Sequence, residues 1–452
     1  MGEVKNFPFF LDNKSVMKRY ISNLTHTLAK GGLIALFAAA LICCKSGNCN
    51  KPQNNKITPQ QDSAIIDGLK NVMAKNNAAG LTVVAVKDGE IIYNKSLGYK
   101  DIDNQTPITQ NDVMRIASIS KSFTAIGILQ LVEQGKLSLD SDISEIMGFI
   151  IRNPKFPDTP ITVRMLLSHI SSMSDSNGYF TFNNLHRDSS ATWEKAWNDY
   201  APGSRYQYCN LGYNTLGAIL EKVSGERFDK YIENHIIKPL NLYASHNVAA
   251  LDSTRFIKLY KFQNETGKAS MNDNTSNEID YSCFQESTTA YQSQEQHSNN
   301  YIMGYSTPLF SPTGGLKISA LDLAKVMMMH MNYGSLNIVN SRGETQNIKI
   351  LDSTSCAMMQ SLITPTNYNN EYYGMAIITT DNLLKGHTLT GHDGLALGAY
   401  TAMYWNKEEN YGFVVFTNGC NGETEYDFAN ILCESVETLY NNIFKISNNN
   451  QN

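Results

Sequence analysis

Segments that alternate like sheet strands lie at both ends of the globular part of this chain, and the stretch between them reads as mostly helical. Near the start, "LTVVAVKDG" and "EIIYNKSLGYKD" meet at Asp88-Gly89, a dipeptide that favours a tight hairpin. Near the end, "GHTLTGHDGLALGAYTAMYWN" and "YGFVVFTNG" alternate in the same way, with a closing helix expected over 424–443. Helices are expected over 62–76, within 115–140, over 191–200, twice within 201–242, and after the Gly-Gly turn at 314–315. The pattern points to an α+β fold: one antiparallel sheet built from the two chain ends, flanked by helices, with an inserted mostly helical region. The cleft between the two parts is the natural place for a site.

A chain of 452 residues, 42% hydrophobic, can bury one large core or two moderate ones. The net charge of −5 and pI near 6.0 provide no basic patch, which excludes an electrostatic case for nucleic acid. Residues 1–57 stand apart from the fold. Residues 17–32 are basic, 33–42 are apolar, and Cys43-Cys44 follow directly. That is the layout of a secretory signal whose apolar part is short for a membrane span. Met17 reads as a more natural signal start than Met1. The stretch is similar to a bacterial lipoprotein cleavage box, with Leu41 at −3 and Cys44 as the lipidated residue, although Cys43 stands where Gly, Ala or Ser is expected. A signal-anchor helix is the alternative. Either way the expected plan is a membrane anchor and polar tether (1–57), a globular domain (58–445) outside the cytoplasm in the bacterial envelope, and a disordered tail (446–452). Disulfides are permitted there. The eight cysteines show no Cys-x-x-Cys pair or zinc spacing, so buried free thiols are expected, with Cys420 and Cys433 as the pair that the last strand and helix could bring together.

The chemistry starts in "RIASISKSFTAIGILQLVEQGKLSLD", residues 115–140. Ser118 and Lys121 are spaced i, i+3 in what reads as a first helical turn, so the amine reaches the hydroxyl. A serine hydroxyl needs a neighbouring base, and burial or the helix dipole can lower a lysine pKa enough to supply one. Ser-x-x-Lys alone is weak, since Ser15–Lys18 also matches. Tyr208 and Asn210 follow a Pro-Gly turn. The phenol, its ionised form favoured beside an ammonium, can take or return the serine proton, and the carboxamide can donate to a substrate carbonyl and hold Lys121. His392 reads as a hydrogen-bonding element, partly charged near neutral pH. Gly394 lets substrate approach the strand edge, and the N–H groups of Ser118 and Leu395 can form an oxyanion hole. No Gly-x-Ser-x-Gly is present.

Five stretches in order, "ASISKSFTA", "ITVRMLLSHISS", "PGSRYQYCNLGYNTLGAILEKVSGE", "SPTGGLKISALDLAKVM" and "GHDGLALG", resemble the serine β-lactamase-like superfamily. Its members include class C β-lactamases, D-Ala-D-Ala carboxypeptidases and related esterases and aminopeptidases. The resemblance covers about residues 60–440 and implies a β-lactamase/transpeptidase-like fold and an acyl-enzyme on Ser118. Lys121 and Tyr208 would share the proton transfers, with Tyr208 as the deacylation base, and Asn210 would position substrate. No metal or organic cofactor is implied, and the partners would be a small-molecule or peptide substrate, with the protein a monomer. His392 stands where efficient β-lactamases of the family carry Lys, which favours a D-amino-acid peptidase or esterase. A class C-like β-lactamase and an acylated penicillin-binding sensor without turnover are the other readings. Cys209 replaces the usual Ser between Tyr and Asn, and Ser172 stands where the related stretch has Gly.

Overall fold

The computed structural model describes residues 57–263, 279–292, 300–339, 342–426 and 428–445. The anchor and tether with Cys44, part of the polar stretch 253–308, and the tail at 446–452 lie outside them. Thr58 opens the described chain as the cap of helix α1 (Pro59–Lys75), in a reciprocal capping box with Gln61. Strands β1 (Gly80–Lys87) and β2 (Glu90–Asp101) follow, paired Lys87 to Glu90. Asp88 and Gly89 both take positive φ, the backbone that a two-residue primed turn requires.

The central sheet has nine strands, all paired antiparallel. After β3 (Thr106–Pro107), the remaining strands come from the C-terminal part: β4 (Thr364–Pro365), β5 (Glu371–Tyr373), β6 (Ile378–Thr380), β7 (Leu389–Ala396), β8 (Ala399–Asn406) and β9 (Tyr411–Thr417). Their order is β4-β5-β6-β7-β8-β9-β1-β2-β3, so the ends of the domain join where β9 meets β1. Alternate side chains of the central strands point to opposite faces, and both faces are covered. Val84, Met403, Trp405 and Val414 enter the core beneath helices α2 (Ser120–Glu133), α3 (Asn210–Ser224) and α4 (Ala320–Met331). Val83, Ala402, Tyr404 and Val415 enter the opposite core, against α1 and α5 (Asn430–Leu439). The expected sheet of both chain ends with a helical insertion is the fold observed.

Local differences have local causes. Ser118 is not in the first turn of α2 but in a 3-10 turn, Ala117–Ile119, just before it. Helix α2 is buried on nearly every side, so its polar residues Ser120, Lys121, Ser122 and Thr124 are core residues rather than an exposed face. The expected helix over 191–200 reduces to the short turn Trp193–Ala196, because Trp197 turns extended and bridges Met173. The closing helix starts later than expected, at Asn430. Cys209, Cys356 and Cys420 are buried free thiols. No helix among the described residues is long and apolar enough to cross a membrane.

Candidate active site

The nucleophile segment turns on one left-handed residue between two core side chains, Ile116 and Ile119. Ala117 takes φ 48°, a left-handed conformation costly for any residue with a Cβ, and so turns Ser118 out of the chain just before α2. Two further left-handed residues, His169 (φ 55°) and Ser172 (φ 60°), hold the loop opposite. The related stretch has glycine at Ser172, the residue that takes a left-handed φ with no Cβ penalty. The Ser172 hydroxyl and carbonyl accept from Asn153 and from Asn198, at 3.0 and 2.8 Å.

Lys121 is wholly buried, and its amine meets three oxygens: Ser118 Oγ at 3.0 Å, Asn210 Oδ1 at 2.9 Å and the Thr313 carbonyl at 2.8 Å. Both carbonyl-type oxygens can only accept. They fix two N–H bonds, and the third corner of the nitrogen points at Ser118. In the ammonium that corner is a proton; in the amine it is a lone pair aimed at the serine O–H. Burial lowers the pKa of Lys121 to about 7, against weaker opposing pulls from Asp175, Asp393 and Cys209. Both forms are therefore populated near neutrality.

Tyr208 hydrogen-bonds Ser118, but burial pushes its pKa well above 10 and outweighs that bond. Lys121 Nζ lies over the face of its ring, 4.8 Å from the centroid, which does little for a phenolate. The expected ionised tyrosine is thus replaced by a neutral phenol. His392 is corrected in the same direction. Its Nδ1–H donates to the Asp393 carbonyl at 2.6 Å, its Nε2 accepts from Tyr373 at 3.2 Å, and burial takes its pKa down to about 3. The imidazole is neutral, not partly charged.

Asn210 heads α3, and its role is shared with Asp175, which sequence reasoning missed. Cys209, the capping residue of α3, offers no side-chain cap. The Asp175 carboxylate supplies it, accepting from the backbone N–H of Asn210 (2.8 Å) and Leu211 (2.9 Å). It also takes one N–H of the Asn210 carboxamide at 2.9 Å, which leaves Oδ1 facing Lys121 and Thr313. So one amide hydrogen expected for substrate is used inside the protein. His169 was also missed as a site residue. Its Nδ1 accepts from the Cys209 N–H at 3.1 Å and its ring lies 4.2 Å from that of Tyr208. Asp175 opens the short 3-10 turn Asp175–Asn177, with no local pattern to single it out for the site; His169 stood inside one of the five stretches with no partner legible.

Gly394 is required by the packing of the nucleophile segment. A Cβ there would stand 2.3 Å from the Ile116 carbonyl and 2.5 Å from Thr401 Oγ1. Strand β7 is thereby laid against residues 116–117, which brings Leu395 to the same cleft as Ser118. That cleft measures about 330 Å³ and is also lined by Tyr208, Asn210, His392 and Asp393. Leu395 is 59% exposed at its mouth. Among the described residues no group of His, Cys, Asp and Glu is arranged to hold a metal ion.

The family model described as Beta-lactamase matches residues 66–434. The chain is 28% identical over 191 residues to Protein flp of Staphylococcus aureus (strain MRSA252), covering 41% of this chain and 38% of that protein. It is 31% identical over 169 residues to Penicillin-binding protein 4* of Bacillus subtilis (strain 168), covering 36% of each. These matches thus span well under half the length of the curated relatives. The structure is similar to D-amino acid amidase from Ochrobactrum anthropi SV3 complexed with L-phenylalanine amide, with a TM-score of 0.63 at 19% identity, covering 87% of this chain and 100% of that one. At that identity the likeness concerns the fold. Together with the match to residues 66–434, it means that this chain belongs to the beta-lactamase family of serine hydrolases.

Proposed function

We propose that the protein hydrolyses a peptide, amide or ester through an acyl-enzyme on Ser118, with a D-amino-acid peptide or a simple ester as the favoured substrate. The observation that carries this reading is the buried amine of Lys121, 3.0 Å from Ser118 Oγ, with a pKa near 7. In acylation the neutral amine accepts the serine proton as Oγ bonds to the carbonyl carbon. The N–H groups of Ser118 and Leu395 take the developing oxyanion. The Tyr208 phenol protonates the leaving group as the bond to it breaks, and the Lys121 ammonium returns a proton to Tyr208. In deacylation a water gives its proton through Tyr208 to Lys121, its oxygen bonds to the acyl carbon, and Ser118 leaves with a proton from the same relay. Because burial holds Tyr208 protonated, it serves as a relay and not as the resident base.

The neutral His392 supports the peptidase or esterase branch, since it supplies no fixed positive charge for a β-lactam carboxylate. The test is turnover of a chromogenic ester, a D-amino-acid amide and a D-Ala-D-Ala peptide, with a fluorescent penicillin alongside and Ser118→Ala as control. Turnover of ester, amide or peptide, lost in Ser118→Ala, is expected. Fast clearance of the penicillin would make the protein a β-lactamase, and a lasting adduct with no turnover of anything would make it a sensor.

For placement, we infer that the basic and apolar run 17–42 followed by Cys44 exports the domain and anchors it to the bacterial envelope as a lipoprotein. Wild-type protein should partition with membranes and Cys44→Ala should be released; equal partition of the two overturns lipidation at Cys44.

A further inference from the structure

The turn that carries Thr313 is laid along the nucleophile segment by its backbone. Three successive carbonyls, those of Pro312, Thr313 and Gly314, accept from Thr124 Oγ1 at 2.7 Å, Lys121 Nζ at 2.8 Å and Arg115 Nε at 2.8 Å. The turn itself is tight. The Gly315 N–H donates to the Ser311 carbonyl at 2.7 Å, and a Cβ at Gly315 would stand 2.3 Å from the Phe310 carbonyl oxygen. On its other side the turn presses on α3, where a Cβ at Gly217 would stand 2.3 Å from Pro312 Cγ. Thr313 is thus fixed between α2 and α3. It is buried, it does not line the catalytic cleft, and its hydroxyl donates to Asn210 Oδ1.

That carboxamide oxygen is shared. It accepts from Lys121 Nζ at 2.9 Å and from Thr313, while the amide N–H is tied to the Asp175 carboxylate, which can only accept. A hydroxyl hydrogen on an acceptor oxygen brings the positive end of its dipole toward any cation bound to the same oxygen. In a buried site water does not screen that opposition. We propose that the Thr313 hydroxyl is a positioning group for the general base: by occupying one lone pair of Asn210 Oδ1, it weakens that oxygen's hold on the Lys121 ammonium and favours the neutral amine that Ser118 needs. This rests on the hydrolase reading above and adds to it a side chain that acts through Asn210. The titratable groups facing Lys121 are Asp175, Asp393, Cys209, Tyr208, Tyr213, His169 and His392, and replacing the Thr313 side chain removes none of them.

The test measures kcat/KM for p-nitrophenyl butyrate from pH 5 to 9 on the wild-type protein, Thr313→Val and Thr313→Ser. Valine keeps the shape and the backbone carbonyl but loses the hydroxyl; serine keeps the hydroxyl. Loss of one hydrogen bond to Oδ1 is expected to raise the midpoint of the profile by about 0.5–1 pH unit in Thr313→Val. Rates at pH 6 then fall about 3–10-fold, while the plateau at high pH falls less than about 2-fold. Thr313→Ser should keep the wild-type midpoint. A merely structural role would lower kcat/KM by one factor at every pH. That result overturns the proposal, as does an unmoved or lowered midpoint in Thr313→Val, an equal rise in Thr313→Ser, or a wild-type profile that does not rise through neutrality. If Thr313→Val melts early, Thr313→Ala, which also lacks the hydroxyl, carries the comparison. Ser118→Ala under the same conditions tests the hydrolase reading separately. Turnover that is lost in Ser118→Ala but keeps its midpoint in Thr313→Val removes this proposal alone. No turnover by the wild type, or turnover that persists in Ser118→Ala, removes both.

Discussion

Lys121 Nζ and Ser118 Oγ lie 3.0 Å apart, with the remaining hydrogens of the amine committed to Asn210 and Thr313. The protonation of one nitrogen therefore decides whether the serine meets a donor or a base. Burial lowers the pKa of that nitrogen from 10.5 to about 7. Since the neutral amine is the active form, kcat/KM for a neutral ester should rise through about pH 7 and level off above it. Lys121→Arg, which cannot give up its proton, should lose at least about 10²-fold at every pH. A pH profile already flat from 5 to 8 would mean that Lys121 is not the base.

Asp175 acts on the site through Asn210. Replacing it by Ala removes the cap of α3 and one anchor of the carboxamide, and should cost about 1–2 kcal/mol in stability. It should also lower kcat/KM by about 10-fold or more. Asp175→Asn, which keeps one acceptor oxygen, should recover part of both. An unchanged urea midpoint for Asp175→Ala would show that the cap contributes nothing.

Gly394→Ala tests whether β7 and the nucleophile segment are packed as closely as the 2.3 Å clash with the Ile116 carbonyl indicates. The clash is with backbone, which cannot swing aside, so about 1–3 kcal/mol of destabilisation is expected, together with loss of turnover. A variant with normal melting and normal kcat would rule out that close approach.

Lys121 and Lys317 are both fully buried with pKa lowered to about 7, by burial first and, at Lys317, by Arg115 as well. The unfolded chain holds both protons up to about pH 10.5, so above pH 7 it binds more protons than the native state and stability rises with pH. Each lysine contributes up to about 1.4 kcal/mol per pH unit. The clean window is pH 7 to 8.5, below the range where buried thiols and phenols act in the opposite sense. Urea midpoints should climb across it, and Lys317→Met should flatten the climb. A wild-type midpoint that falls from pH 7 to 8.5 contradicts these burials.

The sheet was legible because its strands carry their own signals: alternation in 80–101 and 389–417, and the Asp88-Gly89 turn between β1 and β2. The positions of Ser118, Lys121, Tyr208 and Asn210 were legible as ordered short motifs, and the structure brings them together. Their protonation was not. Spacing says that Tyr208 is near Lys121, but only packing says that both are cut off from water, and burial then favours the neutral phenol and the neutral amine alike. Asp175 was invisible for a related reason. A carboxylate that caps a helix 35 residues away belongs to the tertiary fold, and no local pattern marks it. The close packing of Gly394 on Ile116 was not legible, since periodicity shows that a strand passes there but not what lies against it.

The account stands or falls on a covalent bond to Ser118. Rapid-quench mass spectrometry of the protein during turnover of a chromogenic ester measures it directly. The prediction is a transient mass increase equal to the acyl group, located on the peptide containing Ser118 and missing from Ser118→Ala. Turnover with no adduct at Ser118, or an adduct and turnover that persist in Ser118→Ala, would contradict it.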